Sequence, residues 1–268
     1  MTLRFSPALQ NFVAQTGSWK DAFDGGSIEI YTGAQPATPN LAVTGTLLAT
    51  ITLASGAKTS EVAATGVITY TSSGGSVDTV SLLGLDILGG AVSYDTSLTV
   101  TAAAVALKIN RNPKNKFVTA TSSLGVLTLT ALPGFGTLLN SAALATTTTT
   151  MSGAVTSTTF GSGTGGSVAG VNGANGLKMD YSAAAGLMVK DTTQTWSGVG
   201  VASGTQTAGW FRYISSVADA GALDSSSVYL RMDGSIAVSG ADMNMSSTSI
   251  ANGATQTITA FSFTVPAA

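Results

Sequence analysis

The stretch Gln256-Thr257-Ile258-Thr259-Ala260-Phe261-Ser262-Phe263-Thr264-Val265 decides the class of fold. Phe261, Phe263 and Val265 alternate with Ala260, Ser262 and Thr264. In an extended chain that alternation puts the large apolar groups on one face and the small or hydroxyl groups on the other. A helix would scatter them around its circumference. The pattern predicts a single half-buried strand over 256–265. Upstream, Asp233-Gly234 lies between two short apolar runs, 228–232 and 235–238, and predicts a two-residue hairpin turn. Further strands are predicted over 27–31, 47–53, 67–71, 177–181, 187–189, 194–201 and 209–215.

Helical signals are confined to two places. Near the start, Ser6 can cap a helix with Pro7 at its first position, and Leu9, Phe12, Val13 and Thr16 follow helical spacing. Gly17 interrupts the pattern. Ser18 with Asp21 then forms a capping-box signature for a second short helix, with Trp19 and Phe23 turned to the core and Gly25-Gly26 ending it. In the middle, Leu98, Ala102, Val105 and Ile109 share one helical face, and Asn112-Pro113 stops the helix. Two short strands around Gly84, over 77–88, precede this helix. Strands over 117–122 and 126–131 follow it, joined by a turn at Ser123-Leu124-Gly125. The tail over 143–166 is rich in Thr, Ser and Gly, and its threonine run, 146–150, has strand propensity.

Fold class is therefore mainly β: a jelly-roll-like β-sandwich with a short N-terminal helical segment and an inserted small α+β module. The sandwich takes residues 1–76 and 167–268, and the module takes 77–166. The interior is aliphatic: 44% of the 268 residues are hydrophobic but only 7% aromatic. Only 9% are charged, against roughly a quarter in ordinary domains. A polar surface of neutral hydroxyls and amides suits a protein that lies against neighbours. Net charge is −2, which argues against nucleic acid as a partner. The absence of Cys and His removes disulfides, thiolate chemistry and the commonest general base and metal ligand. No apolar run reaches the length of a membrane span, and the start shows no secretion signal.

Asp24-Gly25-Gly26-Ser27-Ile28-Glu29-Ile30-Tyr31-Thr32-Gly33-Ala34-Gln35-Pro36, followed by Thr44-Gly45-Thr46-Leu47-Leu48, resembles a family of small tailed-phage and prophage proteins. A second stretch resembles the same family. It comprises Ala208-Gly209-Trp210-Phe211-Arg212, Asp233-Gly234-Ser235, Ser239-Gly240-Ala241-Asp242 and Phe261-Ser262-Phe263-Thr264-Val265-Pro266. The middle is similar to a recurring phage module on Thr101 to Asn110, Val118-Thr119-Ala120, Val126 to Ala131, Gly136 and Asn140. The resemblance implies a structural protein of the virion, assembled in the host bacterial cytoplasm. It brings no catalytic, metal or cofactor-binding residue with it.

Candidate sites have simpler readings beside them. Gly161-Ser162-Gly163-Thr164-Gly165-Gly166 lacks the Gly-Lys-Ser/Thr ending of a phosphate loop and reads as a linker. Lys108, Arg111, Lys114 and Lys116 form a basic cluster that reads as helix-end complement and solvated charge. Asp219, Asp224 and Asp233 lack the spacing of a calcium loop and read as turn residues. Asp21, Asp24 and Glu29 could pair for glycoside cleavage but fit cap and turn roles. Trp210, Phe211, Tyr213 and Tyr229 could form a sugar-binding face, though their strand positions favour the core.

The expected function is non-enzymatic and cofactor-free. It is that of a capsid decoration or cement protein, multi-copy or homo-oligomeric on the particle, binding the major capsid protein or other virion proteins. The alternative is a tail, neck or fibre component with a role in host attachment. A particle-borne cell-wall glycosidase is a third class, for which no site is found. The expected contact elements are residues 1–5 and the irregular loop 33–44.

Overall fold

The computed structural model describes residues 3–15, 17–155, 158–163, 166–182 and 186–265. The chain is mainly β, with several antiparallel sheets and three helices among the described residues. Its first part carries β1 (Arg4–Phe5), α1 (Pro7–Gln15), α2 (Trp19–Phe23), β2 (Ser27–Thr32) and β3 (Leu47–Leu53). The middle carries β4 (Thr65–Tyr70), β5 (Ser76–Leu82), β6 (Leu85–Asp86), β7 (Val92–Ser93) and α3 (Leu98–Arg111). It continues with β8 (Val118–Ser123), β9 (Val126–Ala131), β10 (Ala142–Thr149), β11 (Gly153–Val155) and β12 (Thr159–Phe160). The last part carries β13 (Met179–Tyr181), β14 (Leu187–Lys190), β15 (Trp196–Val199), β16 (Thr205–Ile214) and β17 (Arg231–Ala237). It ends with β18 (Met243–Asn244), β19 (Ser249–Ala251), β20 (Thr255–Ile258) and β21 (Ser262–Thr264).

Contacts divide the chain into two compact units. Unit 1 is Met1–Ala14, Ser18–Glu61 and Gly173–Ala268; unit 2 is Gln15–Gly17 and Val62–Asn172. The expected module limits, 77–166, are narrower than unit 2. The strand expected over 67–71 was assigned to the outer domain. It is β4, which pairs with β9 and β11 and so belongs to unit 2.

Unit 1 is organised by a sheet in the order β1-β17-β16-β2-β3-β15-β20. Residues opposite one another in an antiparallel ladder share a face, so the register sorts the side chains. One face carries Phe5, Met232, Tyr213, Ile28 and Ile51 in a single row across five strands. Phe211 and Ile30 sit in the next row. This apolar face meets Phe23 of α2, Phe261 and, from the three-stranded sheet β13-β14-β21, Phe263. Fully burying such side chains stabilises by roughly 1.5–3 kcal/mol each. The other face carries Arg4, Asp233, Arg212, Glu29 and Thr50 in the adjacent row.

Two expectations for unit 1 are corrected. Asp233-Gly234 is no turn; both residues lie inside β17, which runs unbroken through them. Asp233 is fully buried against Arg212, and a Cβ at Gly234 would stand 2.4 Å from the Phe211 ring. The dipeptide answers packing demands that have nothing to do with turn chemistry. The predicted last strand is two strands: the chain bends at Thr259, so β20 joins the large sheet and β21 the small one. The alternation survives the bend, with Phe261 and Phe263 both buried.

The helical start follows the predicted chemistry. Ser6 Oγ accepts from the Leu9 N–H, and the Ser18–Asp21 capping box is formed. Thr16, read as part of the first helical face, lies outside the described residues.

Unit 2 contains the sheets β12-β10-β5-β6, joined by β7, and β11-β4-β9-β8. Ala102, Val105 and Ile109 of α3 are buried with Val77, Val80, Leu82, Leu127, Leu129 and Phe160. Ser97 caps α3 by accepting from the Val100 N–H. The threonine run enters β10 as far as Thr149. Leu83-Gly84 and Leu124-Gly125 turn β5 into β6 and β8 into β9, with positive φ at all four residues, as two-residue hairpins require.

Candidate functional site

The chemistry of unit 1 collects on the polar face of its large sheet, under the loop between β2 and β3 and the loop between β16 and β17. Arg212 and Asp233 face each other in register, with a 2.7 Å ion pair and both side chains fully buried. Arg231, also on this face, forms a 2.6 Å pair with Asp219. Each arginine retains donors beyond its carboxylate, and these reach the main chain of the 33–46 loop. Arg231 Nη1 donates to Pro39 O at 3.0 Å, and Arg212 donates to Leu41 O at 3.3 Å. Arg4, from the edge strand β1, donates to Pro36 O. Three neighbouring strands thus each extend a guanidinium to carbonyls spaced along one loop.

Aromatic rings support these cations. The Arg212 guanidinium lies 5.5 Å from the Trp210 ring centroid, and Arg231 lies 4.9 Å from that of Tyr229. Tyr31 stacks on Trp210 at 4.7 Å and 15°. Burial pushes the Asp233 carboxyl up; Arg212, Arg231 and Arg4 pull it down, and it remains above the usual aspartate value. Burial works against the Arg231 charge, yet the Asp219 pair outweighs this and holds the guanidinium above its ordinary value.

Two cavities flank this layer. One, about 350 Å³, is lined by Ser27, Glu29, Thr50, Lys58, Ser60 and Asp219, among others. Burial raises the Glu29 carboxyl above its ordinary value, while the hydroxyl of Tyr31 donates to it at 2.7 Å and moderates the shift. Burial lowers the Lys58 ammonium, which donates to Ser215 O at 3.0 Å. The other cavity, about 430 Å³, lies between Leu3-Arg4-Phe5 and Ala37-Thr38-Pro39-Asn40, with Pro7 and Gln10. These are parts of the two elements expected to make contacts, and the structure brings them together; Met1 and Thr2 lie outside the described residues.

The loops above the polar face are joined to each other. Val43 N–H donates to Gly221 O and Asp224 N–H to Asn40 O, which ties the two loops together at the residues next to Leu41 and Leu223. Both are exposed, at 42% and 60%.

The other candidate residues fall into ordinary roles. Asp219 and Asp233 are engaged by arginines, and Asp224 accepts from the Val228 and Tyr229 N–H groups. Asp21 serves the capping box, and Asp24 pairs with Lys20 and accepts from the Met179 N–H. Trp210, Phe211 and Tyr213 are fully buried, so they present no sugar-binding face; Tyr229 lies beneath Arg231. Lys108 donates to Ala91 O, while Arg111, Lys114 and Lys116 are exposed. Of the Gly-rich stretch, Thr164 and Gly165 lie outside the described residues. Among the described residues, no three Asp or Glu side chains come together as a metal-holding group.

Sequence reasoning missed Arg4, Lys58, Arg212 and Arg231. The available signal was charge inside strands: Arg212 between Phe211 and Tyr213, and Arg231 and Asp233 two residues apart, in a chain that uses charge sparingly. Comparison with protein-family models, curated proteins and solved structures finds no match to this chain.

Proposed function

We propose that this chain is a structural, non-catalytic component of a tailed-bacteriophage particle, a decoration protein that binds and stabilises the assembled head shell. The observation that carries the reading is the 33–46 loop, held from below by Arg4, Arg231 and Arg212 through three carbonyls. A loop fixed in this way keeps its main chain ordered before a partner arrives, which reduces the entropy lost on docking. The exposed Leu41 and Leu223 and the neighbouring 430 Å³ cavity give it an apolar contact surface. Low charge keeps the desolvation cost of that contact small. A protein that acts by being bound at many sites stabilises a shell by mass action.

In this reading unit 1 is a jelly-roll-like sandwich, and the segment 62–172, wider than the expected 77–166, is a module inserted into it. Its partners are the major capsid protein or other virion proteins. The middle segment's resemblance to a recurring phage module, of a kind found in tail as well as head proteins, supports a second reading, a tail, neck or fibre component that aids host attachment.

Copy number on purified particles tests both. Hundreds of copies, with occupancy lost when residues 1–5 are removed and Leu41 and Leu223 become Ser, support decoration. A few to a few dozen copies, with normal heads and failed adsorption in their absence, support the attachment role. Cleavage of peptidoglycan or capsular sugar by the purified chain, lost on Glu29→Gln, would overturn the non-catalytic reading.

A further inference from the structure

The two units finish their sheet edges differently, and the difference points to a docking edge. In unit 2, β8 lies at the end of its sheet, yet its outer main-chain groups are occupied. Asn115 Oδ1 accepts from the Val118 N–H at 3.3 Å, and its Nδ2 donates to Val118 O at 2.8 Å. Asn110 does the same for Ala120, at 2.8 Å each way. A side-chain amide carries the donor and acceptor that a neighbouring strand would offer, so each asparagine closes two positions of that edge.

In unit 1, β20 lies at the end of the large sheet without such cover. Its register with β15 pairs Trp196 with Ile258 and Val199 with Thr255. The Gly200 N–H donates to Ala254 O, which fixes the hydrogen-bonded positions at Ala254, Gln256 and Ile258. The main-chain groups of Thr255 and Thr257 therefore face away from β15, and both residues are exposed. No described strand pairs with them on that side.

We propose that β20 pairs with β20 of a second copy of this chain, antiparallel, about a two-fold axis between the two Gln256 residues. Thr255 of each copy then exchanges main-chain hydrogen bonds with Thr257 of the other, and the large sheet continues from one copy into the next. Three observations favour a second copy as the occupant. The edge lacks the lysine, proline or bulge that ordinarily protects such strands, and no charged residue occurs anywhere after Asp242. Two copies therefore meet without like-charge repulsion. Gln256, on the axis, is both donor and acceptor and so complements its own image. Thr255 and Thr257, both exposed, would lie opposite each other across the junction as Thr–Thr pairs, a favourable cross-strand combination. This inference stands without the proposed place on a phage particle.

Sedimentation of the purified chain over a wide concentration range tests it. The expected mass rises from 26.6 kDa toward twice that value, and the Thr255 and Thr257 amides exchange more slowly as concentration increases. Gln256→Lys and Gln256→Glu each set like charges across the axis and are expected to weaken association by roughly tenfold or more. Mixing these two variants is expected to restore it. Thr257→Pro deletes an outward N–H without removing a bond to β15 and is expected to give the same loss by another route. A chain that stays monomeric at every concentration overturns the proposal, as does a dimer indifferent to all three substitutions. Capture of another protein's strand by a monomeric chain overturns it as well.

Discussion

Unit 1 buries charge where unit 2 buries hydrocarbon. Arg212, Arg231, Asp224, Asp233 and Glu61 are all buried in unit 1, while among the described residues of unit 2 no charged side chain is. Unit 1 needs them because its loops are long and its sheet has two covered faces. One face is sealed by aromatic rings. The other is covered by irregular chain, whose carbonyls need donors once water is excluded. Arginine can serve a carboxylate and a carbonyl together, having five donors in a fixed fork. Unit 2 serves its irregular segments with neutral amides instead: Asn140 Oδ1 accepts from the Gly170 N–H while its Nδ2 donates to Gly170 O, and Asn112 Nδ2 donates to Ile87 O. The lesson is that the buried ion pairs of unit 1 belong to its loops as much as to its sheet.

The most direct way to break the contrast is Arg212→Met. It leaves Asp233 buried without its main partner, an expected loss of about 3–5 kcal/mol in denaturant unfolding. The deficit should shrink in acid, because a protonated Asp233 no longer needs a cation. An apolar pair, Arg212→Met with Asp233→Leu, should recover much of the stability yet free the 33–46 loop, read as faster amide exchange at Val43. Leu129→Ala tests the hydrocarbon side and should cost about 2–5 kcal/mol with little dependence on pH between 4 and 8. If the two single variants showed the same pH response, the distinction between the units would fail.

Smaller effects sharpen it. Asn110→Ala leaves the outer groups of Ala120 without their amide and should cost about 1–3 kcal/mol while making the chain prone to strand-edge aggregation, seen by light scattering. Glu29→Gln probes a raised carboxyl. The folded protein holds that proton more tightly than the unfolded chain, so the parent loses stability as pH rises above the ordinary value of 4.5. The glutamine variant should therefore melt higher than the parent at pH 7 and lose that advantage below pH 4.5. Replacing Lys108, Arg111, Lys114 and Lys116 with Ala should change stability by no more than about 0.5 kcal/mol per site.

Much of unit 2 was legible in the sequence, and much of the site in unit 1 was not. The face of α3, the Leu124-Gly125 turn and the strands around it are local features, written within about a dozen residues. The large sheet of unit 1 is written between distant segments. Nothing near Asp233-Gly234 announces that Arg212 will neutralise the aspartate or that the Phe211 ring will lie against the glycine. Read locally, the pair is a hairpin signal; paired with β16, it is strand interior. Likewise the alternation at Phe261 and Phe263 gives the faces correctly, while the bend at Thr259 follows from which sheet each half joins. Arg212 and Arg231 could have been suspected as charges within predicted strands, Arg4 could not, and the common target of all three is a loop outside those strands.

The register of β2 also has a consequence for synthesis. Ile28 and Ile30 must wait for Tyr213 and Phe211, their partners in β16, which leave the ribosome roughly 180 residues later. At about 5–20 residues per second, that is an interval of roughly 10–40 seconds. Through it the nascent chain carries an apolar half-sheet with no mate. All of 62–172 emerges in the meantime, and its own pairings, such as Leu82 with Leu144 and Tyr70 with Gly153, close shorter loops than Ile28 with Tyr213. The order of translation thus delivers every strand of the hydrocarbon core before the arginine-held layer is complete, so a ribosome stalled before β16 would release a chain whose middle has all its partners and whose start still lacks them.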